Sequence, residues 1–201
     1  MEIKTKVEKY IFAMYCAGVI IQNVLATKNI SVFIFSVTTG IIVSPLVFLT
    51  QDIYTETYGF KKARNMVLFG YLMNFCMIIL GVISIYIPKA SFYQNQEAFA
   101  TIMGTTFRIV ISSFIAYSIG SIVNVKIMAD LKKKSSLFFR AISSTVIGQL
   151  LDNFLFSFLA FIGIMTFKDV LLMTIGATII ETLYEVILFP VTKRCINKLN
   201  I

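Results

Sequence analysis

Three acids stand where acids are expensive. Asp152 lies near the centre of stretch 140–167, RAISSTVIGQLLDNFLFSFLAFIGIMTF, and Glu181 and Glu185 lie inside the apolar stretch 170–191. About 20 apolar residues suffice to cross a bilayer, and an ionised carboxylate at that depth costs at least ~2.5 kcal/mol. A chain keeps such a group where it faces protein or water, so its default reading is a functional site. Ser144, Gly148 and Asp152 recur every four residues, with Thr145 and Gln149 beside them. That spacing puts one small, polar stripe along a helix. Phe154, Leu155, Phe158 and Leu159 on the other side suit lipid. Thr174, Thr178, Glu181 and Glu185 share a second narrow face. Amides at Asn74, Asn124 and Gln149, with guanidinium groups at Arg108 and Arg140, complete the candidate set.

The chemistry on offer is recognition. There is no His, and Cys16, Cys76 and Cys195 are far apart and odd in number. Neither a disulfide framework nor a metal site is suggested. No nucleophile–base pair and no phosphate-cradling glycine loop occurs, so the chain reads as a non-enzyme without cofactor or metal. Carboxylates accept from N–H groups, amides donate and accept, and Phe and Tyr offer flat faces. Together they suit a small, planar, polar molecule. Structural readings compete with this one. Asp152 can pair with a basic residue that fixes the bundle. Glu181 and Glu185, at i and i+4, repel if both ionise, which makes one of them neutral or paired.

The elements that must position these residues are membrane spans. Of 201 residues 58% are hydrophobic and 14% charged, with mean hydropathy +0.85, whereas a soluble domain is about half apolar and a quarter charged. The expected fold is one all-α domain over 1–201, a polytopic integral membrane protein. It has six transmembrane helices, at 10–27, 30–50, 65–87, 105–129, 140–167 and 170–191. Pro45 is expected to kink the second, and the polar segment 50–59 to follow it as a connection. Ala13, Ala17 and Gly18 on the first span allow close helix contact.

Basic residues alternate across these spans. Lys4, Lys6 and Lys9 precede the first, Lys61, Lys62 and Arg64 follow the second, Lys132, Lys133 and Lys134 follow the fourth, and Lys193, Arg194 and Lys198 follow the sixth. The opposite connections hold Lys28, Lys89 and Lys168, with Arg108 at the start of span four. The bias places both termini in the cytoplasm and the protein in the cytoplasmic membrane. It also accounts for the net charge of +8 without a nucleic acid, leaving the lipid bilayer and a small-molecule substrate as partners. The first apolar run lacks a small-residue cleavage pattern and reads as a span. Ile119-Gly-Ser-Ile-Val-Asn124 and Ile147-Gly-Gln-Leu-Leu-Asp152 match each other, either as the trace of an inverted repeat or as shared helix-packing chemistry.

One block is more specific. Pro45-Leu-Val-Phe-Leu-Thr-Gln-Asp52-Ile-Tyr54-Thr-Glu56-Thr-Tyr-Gly59-Phe-Lys-Lys-Ala-Arg64 resembles the signature of the queuosine precursor transporters, the vitamin uptake transporter family. Arg108, Ser113, Ala116 and Tyr117 in span four add to the likeness. So do Arg140, Ser144, Gln149, Asp152, Phe156, Ala160 and Phe161 in span five. Span four carries Ser121 and Asn124 where Gln-x-x-Asp-like polarity would be expected. The resemblance implies import of deazaguanine (deazapurine) bases, preQ0, preQ1 or queuine, for salvage into tRNA. It also raises Asp52, Glu56 and Arg64 from interfacial charges to functional positions. The other reading is a substrate-binding subunit of an energy-coupling-factor vitamin importer. A second copy of the chain or an energy-coupling module stays open as a partner.

Overall fold

Where lipid replaces water, each backbone N–H and C=O needs a partner within the protein, so long apolar runs close into helices. The computed structural model describes residues 2–130 and 137–199, with side chains described at 5–120, 123, 143 and 146–199. Its helices are α1 (Glu2–Leu25), α2 (Ser44–Tyr58), α3 (Phe60–Tyr86), α4 (Gln96–Asp130), α5 (Leu137–Phe161) and α6 (Phe167–Leu199). Phe60–Tyr86, Gln96–Gly120 and Phe167–Leu199 are each long and apolar enough to cross a membrane. The outward face of α3 carries Leu68, Phe69, Leu72, Ile79, Leu80 and Ile83, all exposed. A soluble protein rarely exposes an apolar surface of that extent. The chain is a multi-pass, helical membrane protein.

Five of the expected spans fall on α1, α3, α4, α5 and α6. The second requires correction, because 30–50 is not one helix. Its first part is a β-hairpin, β1 (Asn29–Val32) and β2 (Phe35–Thr38), paired antiparallel from Asn29 opposite Thr38 to Val32 opposite Phe35. A 3-10 turn, Thr39–Ile42, follows and leads into α2. Hydropathy alone does not separate helix from strand, but Ile30, Val32, Val37 and Thr38 are β-branched and fit a strand. Pro45 sits in the first turn of α2 and does not kink it; that position needs no backbone N–H. The helix starts later than expected and runs on through Gln51, Asp52, Tyr54 and Glu56, so the polar segment is helical. Gly59, at φ 85°, then turns the chain directly into α3, a backbone angle at which glycine meets little steric cost.

Two apolar clusters flank the middle of the molecule. Tyr15, Val19, Val47, Met66 and Tyr71 join α1, α2 and α3. Ala26, Ile109, Ala160, Phe161 and Met173 join α1, α4, α5 and α6. The glycines of the matched sequence blocks meet where α4 and α5 cross. A Cβ on Gly120 would lie 3.1 Å from the Gly148 carbonyl and 2.9 Å from Asp152 Cβ. Close helix packing at these glycines is compatible with either origin of the likeness. The hairpin docks on α6, where a Cβ on Gly176 would come within 2.6 Å of Phe35 Cβ.

Gly176→Val should therefore push the hairpin off α6. Overpacking costs ~1–3 kcal/mol, so the melting temperature of the purified protein in detergent falls by several degrees. A single Gly176→Val variant as stable as the parent would show that the hairpin does not seat there.

Candidate functional site

Glu181 is the point where four helices are tied. It is buried on α6, and its Oε2 accepts a hydrogen bond from Asn153 Nδ2 of α5 at 2.7 Å. Its Oε1 accepts from Ser44 Oγ, at the first residue of α2, at 3.3 Å. Ser44 Oγ in turn accepts from Gln22 Nε2 of α1 at 3.1 Å. The second hydrogen of the Asn153 amide reaches Thr178 Oγ1 at 3.2 Å. Burying a polar side chain is tolerated when its hydrogen bonds are made, and here each bond also joins two elements.

This network borders a partly open cavity of about 100 Å³. A cavity of roughly 150 Å³ admits benzene, so a larger ring system would extend from this space through its open side. Val19, Phe48, Phe156 and Met173 supply apolar wall, while Asn23, Gln51, Ser113, Tyr117, Asp152 and Glu181 supply polar groups. Tyr71 donates to the Ser113 carbonyl at 3.3 Å, and Tyr117 is hydrogen-bonded to Gln51. Among the described residues, two buried atoms of lining side chains have no hydrogen-bond partner. One is Asp152 Oδ1 and the other is Nδ2 of Asn23, a residue only 4% exposed. Unmet buried groups are uncommon in native proteins and call for an explanation. An occupant that donates to Asp152 and accepts from Asn23 is the direct one.

The other candidates lie elsewhere. Arg108 donates from Nε to the Leu159 carbonyl at 3.1 Å, and its Nη2 bonds the Ile162 carbonyl. It thereby caps the C-terminal end of α5, where a cation is favourable, and it is not among the residues lining the cavity. Gln149 accepts from Thr182 Oγ1 at 3.3 Å. Glu185 sits one turn beyond Glu181 on α6, half-buried and outside the lining. Asn74 is fully buried on α3 with no partner for its amide, also outside the lining. Asp52 and Glu56 are exposed on α2, and it is their neighbour Gln51 that faces the cavity. The side chains of Asn124 and Arg140 lie outside the described residues.

Sequence reasoning missed Asn153, Ser44, Asn23 and Gln22 as site residues. A signal existed for α1. Tyr15, Val19, Gln22, Asn23 and Ala26 all line the cavity at helical spacing. Asn153 was overshadowed by the acid next to it, and Ser44 needed the true start of α2.

Fold and cavity together define a multi-pass helical membrane protein with a partly polar cavity between its helices. The sequence matches the family described as "Putative vitamin uptake transporter" over residues 38–195, and the chain belongs to that family. It is 28% identical over 159 residues to the "Probable queuosine precursor transporter" of Bacillus subtilis (strain 168), covering 76% of this chain and 66% of that protein. It is 30% identical over 129 residues to the protein of the same description from Haemophilus influenzae, covering 64% and 54%. The "Queuosine precursor transporter" of Escherichia coli (strain K12) is 27% identical over 144 residues, covering 70% and 62%. The chain thus spans between half and two thirds of the length of each of these relatives. No solved structure matches. The family match takes in Asp52, Asp152 and Glu181 but begins after Gln22 and Asn23.

Asn153→Ala removes the shorter of the two hydrogen bonds to Glu181. A lost hydrogen bond of this kind costs about 1–3 kcal/mol, which should lower the melting temperature by roughly 4–8 °C if the cost is near 2. Asp152→Asn removes no protein partner from Oδ1, so it should shift the melting temperature much less. Equal losses in the two variants would mean that Asp152, like Glu181, holds helices together.

Proposed function

We propose that this chain imports queuosine precursors, the 7-deazaguanine bases preQ0, preQ1 or queuine, across the cytoplasmic membrane for salvage into tRNA. The observation that carries the reading is the cavity lined by residues of all six helices, with Asp152 and Glu181 on its wall. A guanine-like edge presents adjacent N–H donors that one carboxylate accepts together, while its ring carbonyl takes a donor and its face packs on an aromatic ring. Glu181, Asn23 or Gln51, and Phe156 or Tyr117 supply these types. The names of the three relatives point to the same substrate class. Six crossings fit this reading, made by α1, by α2 with the 3-10 turn before it, and by α3 to α6. Both termini are then cytoplasmic, as the alternating basic residues require. Transport proceeds by exposing the central site to one side and then the other.

A second reading is a substrate-binding subunit that works with an energy-coupling module. Ala13 and Ala17 on α1 favour it, since they are exposed and form a small-residue face. Uptake by the purified, reconstituted chain alone would exclude an obligatory partner.

The substrate is tested in bacteria that neither make queuosine nor carry their own importer, yet keep the later enzymes of tRNA modification. With this chain expressed and preQ0 or preQ1 supplied at limiting concentration, queuosine in tRNA should be restored, and Glu181→Gln should reduce it sharply. A second host able to use queuine covers that base. If no base restores the modification although the protein is in the membrane, the substrate class is wrong. A reporter active only inside the cell, fused after Ile201, should give signal; external activity there would overturn the topology.

A further inference from the structure

The cavity wall carries two carboxylates and, among its described residues, no Lys or Arg. The two acids are held differently. Both oxygens of Glu181 already accept from Asn153 and Ser44, so its orientation is set while lone pairs remain for a ligand. Asp152 Oδ1 is buried and accepts from nothing. Asn23 Nδ2, on a residue 4% exposed, is a buried donor of the same cavity and is equally without a partner. A buried carboxylate oxygen that lacks a donor is strongly unfavourable, and a positively charged donor relieves it best. Two acids beside one small space repel when both are ionised, and a bound cation relieves that repulsion.

Resting on the substrate reading above, we infer that the site selects among deazaguanines by charge. Asp152 receives an ammonium group on the side arm, and Glu181 receives the N–H edge of the ring. The preferred base is 7-aminomethyl-7-deazaguanine, whose alkyl amine is protonated at neutral pH like that of lysine. The 7-cyano base has the same ring, but its arm ends in a hydrogen-bond acceptor that faces a carboxylate. Asp152 is then a specificity-determining residue, and Glu181 serves every base of the class.

Equilibrium binding to the purified full chain in lipid nanodiscs tests this with three ligands: the 7-aminomethyl, 7-cyano and 7-methyl bases. The methyl base approximates the size of the arm without its charge. The aminomethyl base should bind about tenfold or more tightly than either of the others, the advantage of a charge-assisted contact over a neutral one. In Asp152→Asn that preference should narrow to within about threefold, whereas Glu181→Gln should weaken all three bases. If Asp152→Asn does not fold, the ranking by the parent chain decides the matter. Equal affinity of the parent for all three bases, or tighter binding of the cyano base, overturns selection by charge and leaves the substrate class standing. Binding of none of the three removes the substrate class and this inference with it.

Discussion

The structure depends on one buried carboxylate. Glu181 takes hydrogen bonds from α5 and α2, and through Ser44 it is linked to α1. In a bilayer, apolar side chains gain little by meeting each other, since lipid is as apolar as they are. Association then rests on close packing and on polar contacts between helices. The Glu181 network is such a contact, and it fixes the distances between four elements at the depth of the cavity. The same acid therefore serves the fold and presents its remaining lone pairs to the space beside it.

The departure of α2 from a full span makes that space available. A continuous helix from 30 to 50 would have satisfied its own backbone and filled the position. Instead the ladder of β1 and β2 satisfies the backbone of the first part, and the 3-10 turn brings Ile41 and Ser44 to the cavity wall. Non-helical backbone within a membrane protein is tolerated where it is buried in protein or lines a cavity. Thr39, Gly40 and Ile41 are buried, and Ile41 also lines the cavity.

Much of this was legible in the residues. Hydropathy and the cost of a buried charge located five helices and singled out Asp152 and Glu181, both of which line the cavity. The resemblance in block 45–64 marked α2 as special, although the residue that reaches the cavity is Gln51, not Asp52 or Glu56. Arg108 bonds carbonyls at the end of α5 and does not line the cavity. A guanidinium at the start of a span looks like a ligand group, but carbonyls at the end of a neighbouring helix are an equally good partner, and only the packing of α4 on α5 reveals them. Asn153 was not legible because its importance is pairwise, residing in its distance to Glu181 across two helices. The hairpin escaped notice because a hydrophobic run carries no label for helix or strand until glycine, proline and β-branched content are weighed together.

The seating of β2 against Gly176 bears on how such a chain is made. Synthesis delivers elements in order from the N-terminus, and α6 follows all the others. Until it arrives, Phe35 has no Gly176 to rest on, and Ser44 and Asn153 have no carboxylate to meet. The segment from the hairpin to α2 leaves the ribosome early but reaches its final surroundings last. During that interval its polar groups need a temporary host, whether the lateral opening of the insertion machinery or the aqueous edge of the bilayer. Completion of the cavity is thus a late event in biogenesis, and truncation early in α6 would leave its wall without Met173, Ala177 or Glu181.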